Sequence, residues 1–534
     1  MRVAESYAVL ILISVLSGPL AAAADCPPAD SAPLSHRDVS QYTNLTTAPK
    51  SLPVYERYLR DTVQGLNRMR GQNGLICDSA LVIAGDNPTL QFMKERTTPT
   101  NIGMDLLVQT ELAKSPGAAG LEARKNLSQV IDTLNQLPKY PGRKNSILFY
   151  DWYPTTGISV GEKDKDVSTV DNINLAIAIW TVAQTFPHEK FGKSAQALFN
   201  KIDFSPFYHP KDGLAGGNLK YDPTSRTWAL EVPKPPPQDP LKLGQALPPF
   251  PEPWTYGDFG SEARSIYTAG YALGLFKEEG TDPKFVARAI DSLHMELSPS
   301  KNGKIMRVWD GGAFQELLPA LYMNEGAYSS TLAESASAYG SYILELGKQQ
   351  GHVVPGTDGK VFFPAAYSAS QTGRDSYNGQ QGVLHLSTTL NKGVCDPVAA
   401  HNWESVYTTH AAMLAASMSD PDQFAPSFQA IEKLTDGKNK MYNAGIGFSD
   451  AVHVKGDADH KEGEIVPVVL SLDKGMEAYA MMRMKDRSTL GPSAAAFAAN
   501  PAVRHRLETA YSAVDRKFAT LTPTTAFCDG QNKK

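Results

Sequence analysis

The chain has 534 residues, 42% hydrophobic and 20% charged, with 51 Lys and Arg against 56 Asp and Glu and a formal net charge of -5. The basic residues are scattered rather than gathered into a stripe, which argues against nucleic acid as a partner. Beyond the N-terminus no stretch is apolar enough to predict a membrane span.

The first segment reads as an export signal. Arg2 precedes an apolar run at 8–16 that is too short to cross a bilayer, and the alanines at 21–24 offer small-residue cleavage sites. Residues 1–24 are therefore expected to be a signal peptide and the protein periplasmic or secreted. Its removal leaves about 510 residues, more than one simple core usually holds. Residues 25–51 are expected to form an N-terminal extension. Cys26, Cys77, Cys395 and Cys528 in an exported chain favour disulfides. The expected pairing ties Cys26 to Cys528 and Cys77 to Cys395.

Apolar residues recurring every three or four positions predict helices over 52–69, 101–112, 121–137, 171–186, 261–278, 283–297, 327–348, 405–418, 426–434, 470–484 and 502–519. Strand-like alternation is short, at 145–152 and 304–309. Many helices joined by long, polar, aromatic-bearing loops predict an all-α domain over 52–519, in which helical pairs close a ring with a cleft at one end. Residues 520–534 read as a polar C-terminal tail. No fixed-period repeat is visible, so a regular solenoid is disfavoured. The proline-rich stretch 232–254 cannot be helix interior, because proline lacks the amide donor and clashes with the preceding turn. It is expected to be a rigid loop over the cleft rather than a linker between domains.

The phosphate-cradling G-x-x-x-x-G-K-[ST], the dinucleotide-binding G-x-G-x-x-G and the zinc-binding H-E-x-x-H patterns are absent, and no cofactor or metal is expected. One G-x-S-x-G string, Gly157-Ile158-Ser159-Val160-Gly161, is followed by a charged run instead of the helix that a nucleophile elbow needs. What remains is a set of acids and aromatics at predicted helix ends. In Gly257-Asp258-Phe259-Gly260-Ser261-Glu262-Ala263-Arg264, Glu262 lies at a helix mouth just after Trp254, Tyr256 and Phe259. A carboxyl group beside apolar rings resists ionising, which suits a general acid at neutral pH. Equally, a carboxylate in a first turn favours the positive end of the helix dipole. Further clusters contain Asp171, then Trp309, Asp310 and Phe314, then Asp396, His401 and Trp403, then Asp450. Aromatics suit the face of a sugar ring and polar groups its rim, and glycosidic cleavage needs two carboxyl groups.

Taken in order, Thr98-Pro99-Thr100-Asn101-Ile102-Gly103, Val167-Ser168-Thr169-Val170-Asp171, Gly260-Ser261-Glu262-Ala263-Arg264, Trp309-Asp310-Gly311-Gly312-Ala313-Phe314, Gly447-Phe448-Ser449-Asp450-Ala451 and Leu472-Asp473-Lys474-Gly475-Met476 form a recognisable set. The set resembles the glycoamylase-like (α/α)6 enzymes, including endo-β-1,2-glucanases and the related domain of cyclic β-1,2-glucan synthases. The resemblance runs over 52–484. It implies an (α/α)6 toroid with long loops and a few short strands. It also implies an endo-acting glycoside hydrolase of a neutral glucan, β-1,2-linked first, with an oligosaccharide or polysaccharide as partner and a monomeric state. Glu262 matches the general acid and Asp450 the base, with Asp171, Arg264, Trp309 and Asp310 lining the cleft. Phe314, Asp396, His401 and Trp403 join them as expected substrate contacts. The stretch 396–404 departs from the usual members, where a more apolar run and a proline are expected, and the proline-rich loop is unusual; both bear on linkage rather than fold. A transglycosylase, a polysaccharide lyase and a non-catalytic glycan-binding protein stay open. The abundance of carboxylates argues against the lyase, which needs cations to neutralise a uronate.

Overall fold

Fourteen helices run through the described residues of the computed structural model, which are 49–211, 213–232, 253–278, 283–374, 376–378, 381–388, 405–456, 459–485 and 491–523. In chain order they are α1 (Leu52–Arg68), α2 (Pro99–Leu112), α3 (Ala118–Gln136), α4 (Thr169–Thr185), α5 (Lys190–Phe199), α6 (Arg264–Ala272) and α7 (Pro283–Ser292). There follow α8 (Ala313–Met323), α9 (Ser330–Gln350), α10 (Thr409–Met418), α11 (Pro421–Ile431), α12 (Ser471–Lys485), α13 (Pro492–Ala499) and α14 (Pro501–Ala519).

Burial sorts these helices into two sets. Every residue of α6, α8 and α10 is buried, and α2 and α4 are buried on nearly all sides. A helix that is enclosed all round belongs in an interior. Contacts agree: α2 packs on α4, α4 on α6, α6 on α8, α8 on α10, α10 on α12, and α12 back on α2, closing a circuit of six. The helices between them pack from outside, α3 on α2 and α5, α5 on α4, α7 on α6, α9 on α8 and α10, α11 on α10, and α1 on α12. These are one-sided. α3, for example, buries Ala123, Leu127, Val130, Ile131 and Leu134, a single stripe at helical spacing. Gly103 allows α2 and α4 to approach closely, since a Cβ there would lie 3.0 Å from the Asn174 carbonyl oxygen.

The N-termini of inner helices are capped by side chains that the sequence supplies in place. Thr98 Oγ1 accepts the Asn101 amide at 3.3 Å, with Pro99 at the first helical position, and Ser168 Oγ accepts the Asp171 amide at 3.2 Å. Between helices the chain forms small antiparallel sheets of two or three short strands. One pairs Val406–Thr408, Ala451–His453 and Ile465–Val466, and places Asp450 at a strand end.

Several boundaries differ from expectation. The predicted helix 405–418 opens as strand Val406–Thr408 before α10, and 261–278 shortens to α6, ending at Gly274 with φ of 69°. Residues 283–297 give α7 and then the strand Leu297–Ser300, paired with Gly303–Met306. Helices α5, α8 and α13 were not expected. In the structure α8 carries Pro319 internally, and α13 is Ala-rich without an apolar stripe. The helices on both sides of the proline-rich stretch belong to one contact unit, Val39–Lys534. Residues 233–252 of that stretch, the expected signal segment 1–24, Cys26, Cys395 and Cys528 lie outside the described residues. Cys77 carries no disulfide, contrary to the expected pairing. It is fully buried, with Sγ 3.3 Å from Thr155 Oγ1. No helix among the described residues is long and apolar enough to cross a membrane.

Candidate active site

The inner helices bring their N-terminal ends, and the acids near them, to one mouth of the circuit. The Thr100 amide at the start of α2 donates to Asp171 Oδ1 at the start of α4, at 3.1 Å, and Asn101 donates to Asp78 at 3.1 Å. Glu262 lies just before α6, Asp310 just before α8, His410 in the first turn of α10 and Asp473 in the first turn of α12.

The segment that carries Glu262 is fixed by backbone contacts. Gly260 presses on the next strand end so closely that a Cβ would lie 2.1 Å from the Arg307 carbonyl oxygen. The Trp309 amide donates to the Gly260 carbonyl at 2.6 Å, and the Glu262 amide donates to Gln315 Oε1 at 2.8 Å. The Glu262 carboxyl group opens into a cavity of about 520 Å³ lined also by Trp254, Tyr256, Asp258, His294 and Trp309. Trp254 and Tyr256 stand with ring centroids 4.7 Å apart. Enclosure by protein pushes Glu262 well above the usual carboxylate range, the Asp171 and Asp310 charges push it further, and the Arg264 guanidinium opposes them. A smaller cavity of about 300 Å³, lined by Tyr140, Arg143, Asp203, Trp228 and Glu278, has its acids engaged locally. Glu278 faces Arg143 at 3.6 Å, and Asp203 accepts from Ser205 at 2.7 Å.

A second group of ionisable residues sits across the mouth. Asp450 is buried, and its Oδ2 accepts the Gln371 amide at 2.8 Å. One atom from each of Asp450, Asp473 and His410 lies within 4.8 Å of the others, and His410 Nδ1 is 3.2 Å from Asp473 Oδ2. Burial, then the Asp473 charge and the hydrogen bond between the two carboxyls, raises Asp450 well above the usual range. Burial pushes Asp473 up to about 7, with the Asp450 hydrogen bond working the other way.

Tyr377, on the hairpin pairing Ser370–Gln371 with Tyr377–Asn378, stands between the two groups. Burial, then Asp473, Asp450, Glu262 and Asp78, raises its phenol. By surface area the side chain is 55% exposed. An exposed phenol that feels carboxyl groups of both clusters is within reach of the mouth.

The structure brings Glu262, Trp309 and Asp171 to this mouth and sets Asp450 in its wall. Three expected substrate contacts are buried. Arg264 is 1% exposed, its guanidinium bound to Glu325 at 2.8–3.1 Å and to the Ser261 and Gln315 carbonyls at 3.2 and 2.7 Å, so it anchors the floor. Asp310 is buried, its Oδ1 takes the Gly312 amide at 2.8 Å, and burial pushes it to about 7. Phe314 is buried in α8. Asp396, His401 and Trp403 lie outside the described residues. Ser159 sits in an exposed loop before the short turn Glu162–Asp164, so no nucleophile elbow forms. Tyr377, His294, His410 and Gln315 were missed. The last two carry a usable signal, since each falls within the opening turn of a helix buried on all sides.

The fold is similar to those of solved endo-β-1,2-glucanases and of proteins described as putative glucoamylases. The endo-β-1,2-glucanase of Talaromyces funiculosus, solved with sophorose, superposes with a TM-score of 0.62 at 11% identity, over 92% of this chain and 94% of that one. The endo-β-1,2-glucanase of Chitinophaga pinensis, solved with sophorotriose and glucose, gives 0.60 at 13% identity, over 87% and 98%. By sequence, cyclic β-(1,2)-glucan synthase NdvB of Rhizobium meliloti is 41% identical over 85 residues. That match is 16% of this chain and spans only 3% of the synthase. No protein-family model matches the chain.

Proposed function

We propose that this protein is an exported glycoside hydrolase that cleaves a neutral glucan internally, with β-1,2-linked glucan as first substrate. In this reading the circuit of six inner helices and its outer partners is the (α/α)6 toroid. The observation that carries it is Glu262, a carboxyl group in an aromatic-lined cavity whose enclosure and neighbouring Asp171 and Asp310 charges push it well above the usual carboxylate range. Such a group gives a proton to a glycosidic oxygen at neutral pH. Trp254, Tyr256 and Trp309 offer flat apolar faces to the sugar. Asp450 takes the proton of the attacking water. Inversion is the expected outcome, with the two carboxyl groups about 6.5–9.5 Å apart or more, against the about 5–5.5 Å of a retaining pair. The sophorose and sophorotriose complexes of proteins with this fold support the β-1,2 linkage. Among the described residues the cavity lining holds no Lys or Arg, which counts against a lyase.

Digestion of linear β-1,2-glucan beside a panel of other glucans tests the reading, with short oligosaccharides expected from the first. An unsaturated product absorbing in the ultraviolet would replace hydrolysis by elimination. Glu262→Gln and Asp450→Asn should each lose roughly 10²–10⁴-fold in turnover, the scale of positioned acid–base catalysis, with melting temperatures kept. Near-normal turnover in either would move the role to another carboxylate, Asp171 or Asp396 first.

A further inference from the structure

Asp450 is clamped from both sides by its own backbone. Its amide donates to the Val468 carbonyl at 2.8 Å, on the strand that leads into α12, and its carbonyl accepts the Thr409 amide at the start of α10, at 3.4 Å. Helices α10 and α12 pack together, so their first turns bring His410 and Asp473 to the same spot. All three side chains are buried, at 1%, 3% and 4% exposure for His410, Asp450 and Asp473. Asp450 Oδ1 and Asp473 Oδ2 are buried with no donor directed at them, and neither ring nitrogen of His410 makes a hydrogen bond of good geometry. Two carboxylate oxygens shut away together without donors are unfavourable as two charges, whereas one proton between them satisfies both. The surrounding charges do not remove the problem. Lys474 Nζ is taken by Glu477 at 2.7 Å, both groups being buried, while Asp78 and Tyr377 add no cation. Burial lowers His410, which keeps its ring neutral.

We propose that Asp473, held against His410, is the positioning residue that shares a single proton with Asp450 and so sets the pH at which Asp450 works as a base. This rests on Asp450 being that base. The pair holds one proton and one negative charge, and in the form that works as a base the proton is on Asp473 and the free pair of electrons on Asp450. During cleavage a water O–H bond breaks and its proton joins Asp450, while the water oxygen bonds to the anomeric carbon. The glycosidic C–O bond breaks, and its oxygen takes the proton of Glu262. The pair then carries two protons and Glu262 a negative charge. Return of one proton through solvent resets both.

The test is the pH profile of kcat/KM on β-1,2-glucan for Asp473→Asn, beside Asp450→Asn and thermal melts. An amide is a weaker donor to Asp450 than a carboxylic acid. The acid limb should therefore move upward by about one pH unit, a roughly tenfold loss on that limb. A wild-type limb in a folded Asp473→Asn protein, with Asp450→Asn inactive, overturns the sharing alone. Near-normal turnover in Asp450→Asn overturns the assignment of the base instead. If Asp473→Asn fails to fold, infrared spectra of the wild type and Asp450→Asn at pH 7 decide. Loss of a protonated-carboxyl band in the variant supports the shared proton, and an unchanged band overturns it. Stoichiometric divalent metal in the purified wild-type protein also overturns it, because a cation would then satisfy the oxygens assigned here to the proton.

Discussion

The Tyr377 phenol feels the charges of Asp473, Asp450, Glu262 and Asp78. Tyr377 keeps more than half its surface and sits on a hairpin pinned to Asp450 through the Gln371 amide. Tyr377→Phe keeps the ring and removes one neutral hydrogen bond, worth about 1 kcal/mol, so kcat/KM should fall about fivefold. Tyr377→Ala removes the ring as well and should cost more, with melting unchanged in both because the side chain is not in the core. Unchanged kinetics in Tyr377→Ala would remove it from the substrate path. At this scale the sequence was uneven. Glu262 was legible because an acid follows three aromatics and opens an apolar helix. Tyr377 lies among Ser, Gly and Asn in a short hairpin, a pattern shared with any polar loop. Arg264 was misjudged because a cation beside an acid reads the same whether it faces solvent or the floor.

Elements were legible where one face meets solvent. The stripes of α1, α3, α9 and α14 stand out, whereas the fully enclosed α6 and α10 fall short of the expected bounds and the fully enclosed α8 was not expected. The Glu262 segment depends on such an end. Arg264 ties the Ser261 and Gln315 carbonyls together and is neutralised by Glu325, which is itself 0% exposed and accepts from Tyr511 at 3.0 Å. Arg264→Met leaves the Glu325 charge buried without its cation and should destabilise by about 3–5 kcal/mol. A double variant, Arg264→Met with Glu325→Leu, should recover much of that in a urea melt, because the stranded charge is gone. Its activity should stay low, since the two carbonyls that hold the Glu262 turn lose their common donor. Full activity in the double variant would show that the turn holds itself.

The whole molecule gathers carboxyl groups where its inner helices begin, and the gathering has a cost in stability that depends on pH. Asp151, Asp310, Glu316 and Asp473 are each pushed to about 7, burial being the first cause in every case. Their folded-state values lie above the unfolded ones, so the native protein binds more protons than the denatured chain between about pH 4 and 7. The stability tied to the neutral forms is whole below about pH 4 and is lost as pH rises through about 7. Asp310 isolates the effect. Its buried carboxyl rises from 3.8 to about 7, and the hydrogen bonds it accepts, from the backbone of Gly312 and of Asp310 itself, can be retained by an amide oxygen. Asp310→Asn cannot ionise, so it escapes the penalty that the wild type meets at high pH. Each tenfold difference in proton affinity between the folded and unfolded chain is worth about 1.4 kcal/mol. The variant should therefore gain roughly 2–3 kcal/mol more over the wild type at pH 8 than at pH 5. Urea melts of both proteins across that range give the difference directly. Parallel curves would mean that Asp310 ionises freely in the folded protein, and that water reaches the floor of the cleft.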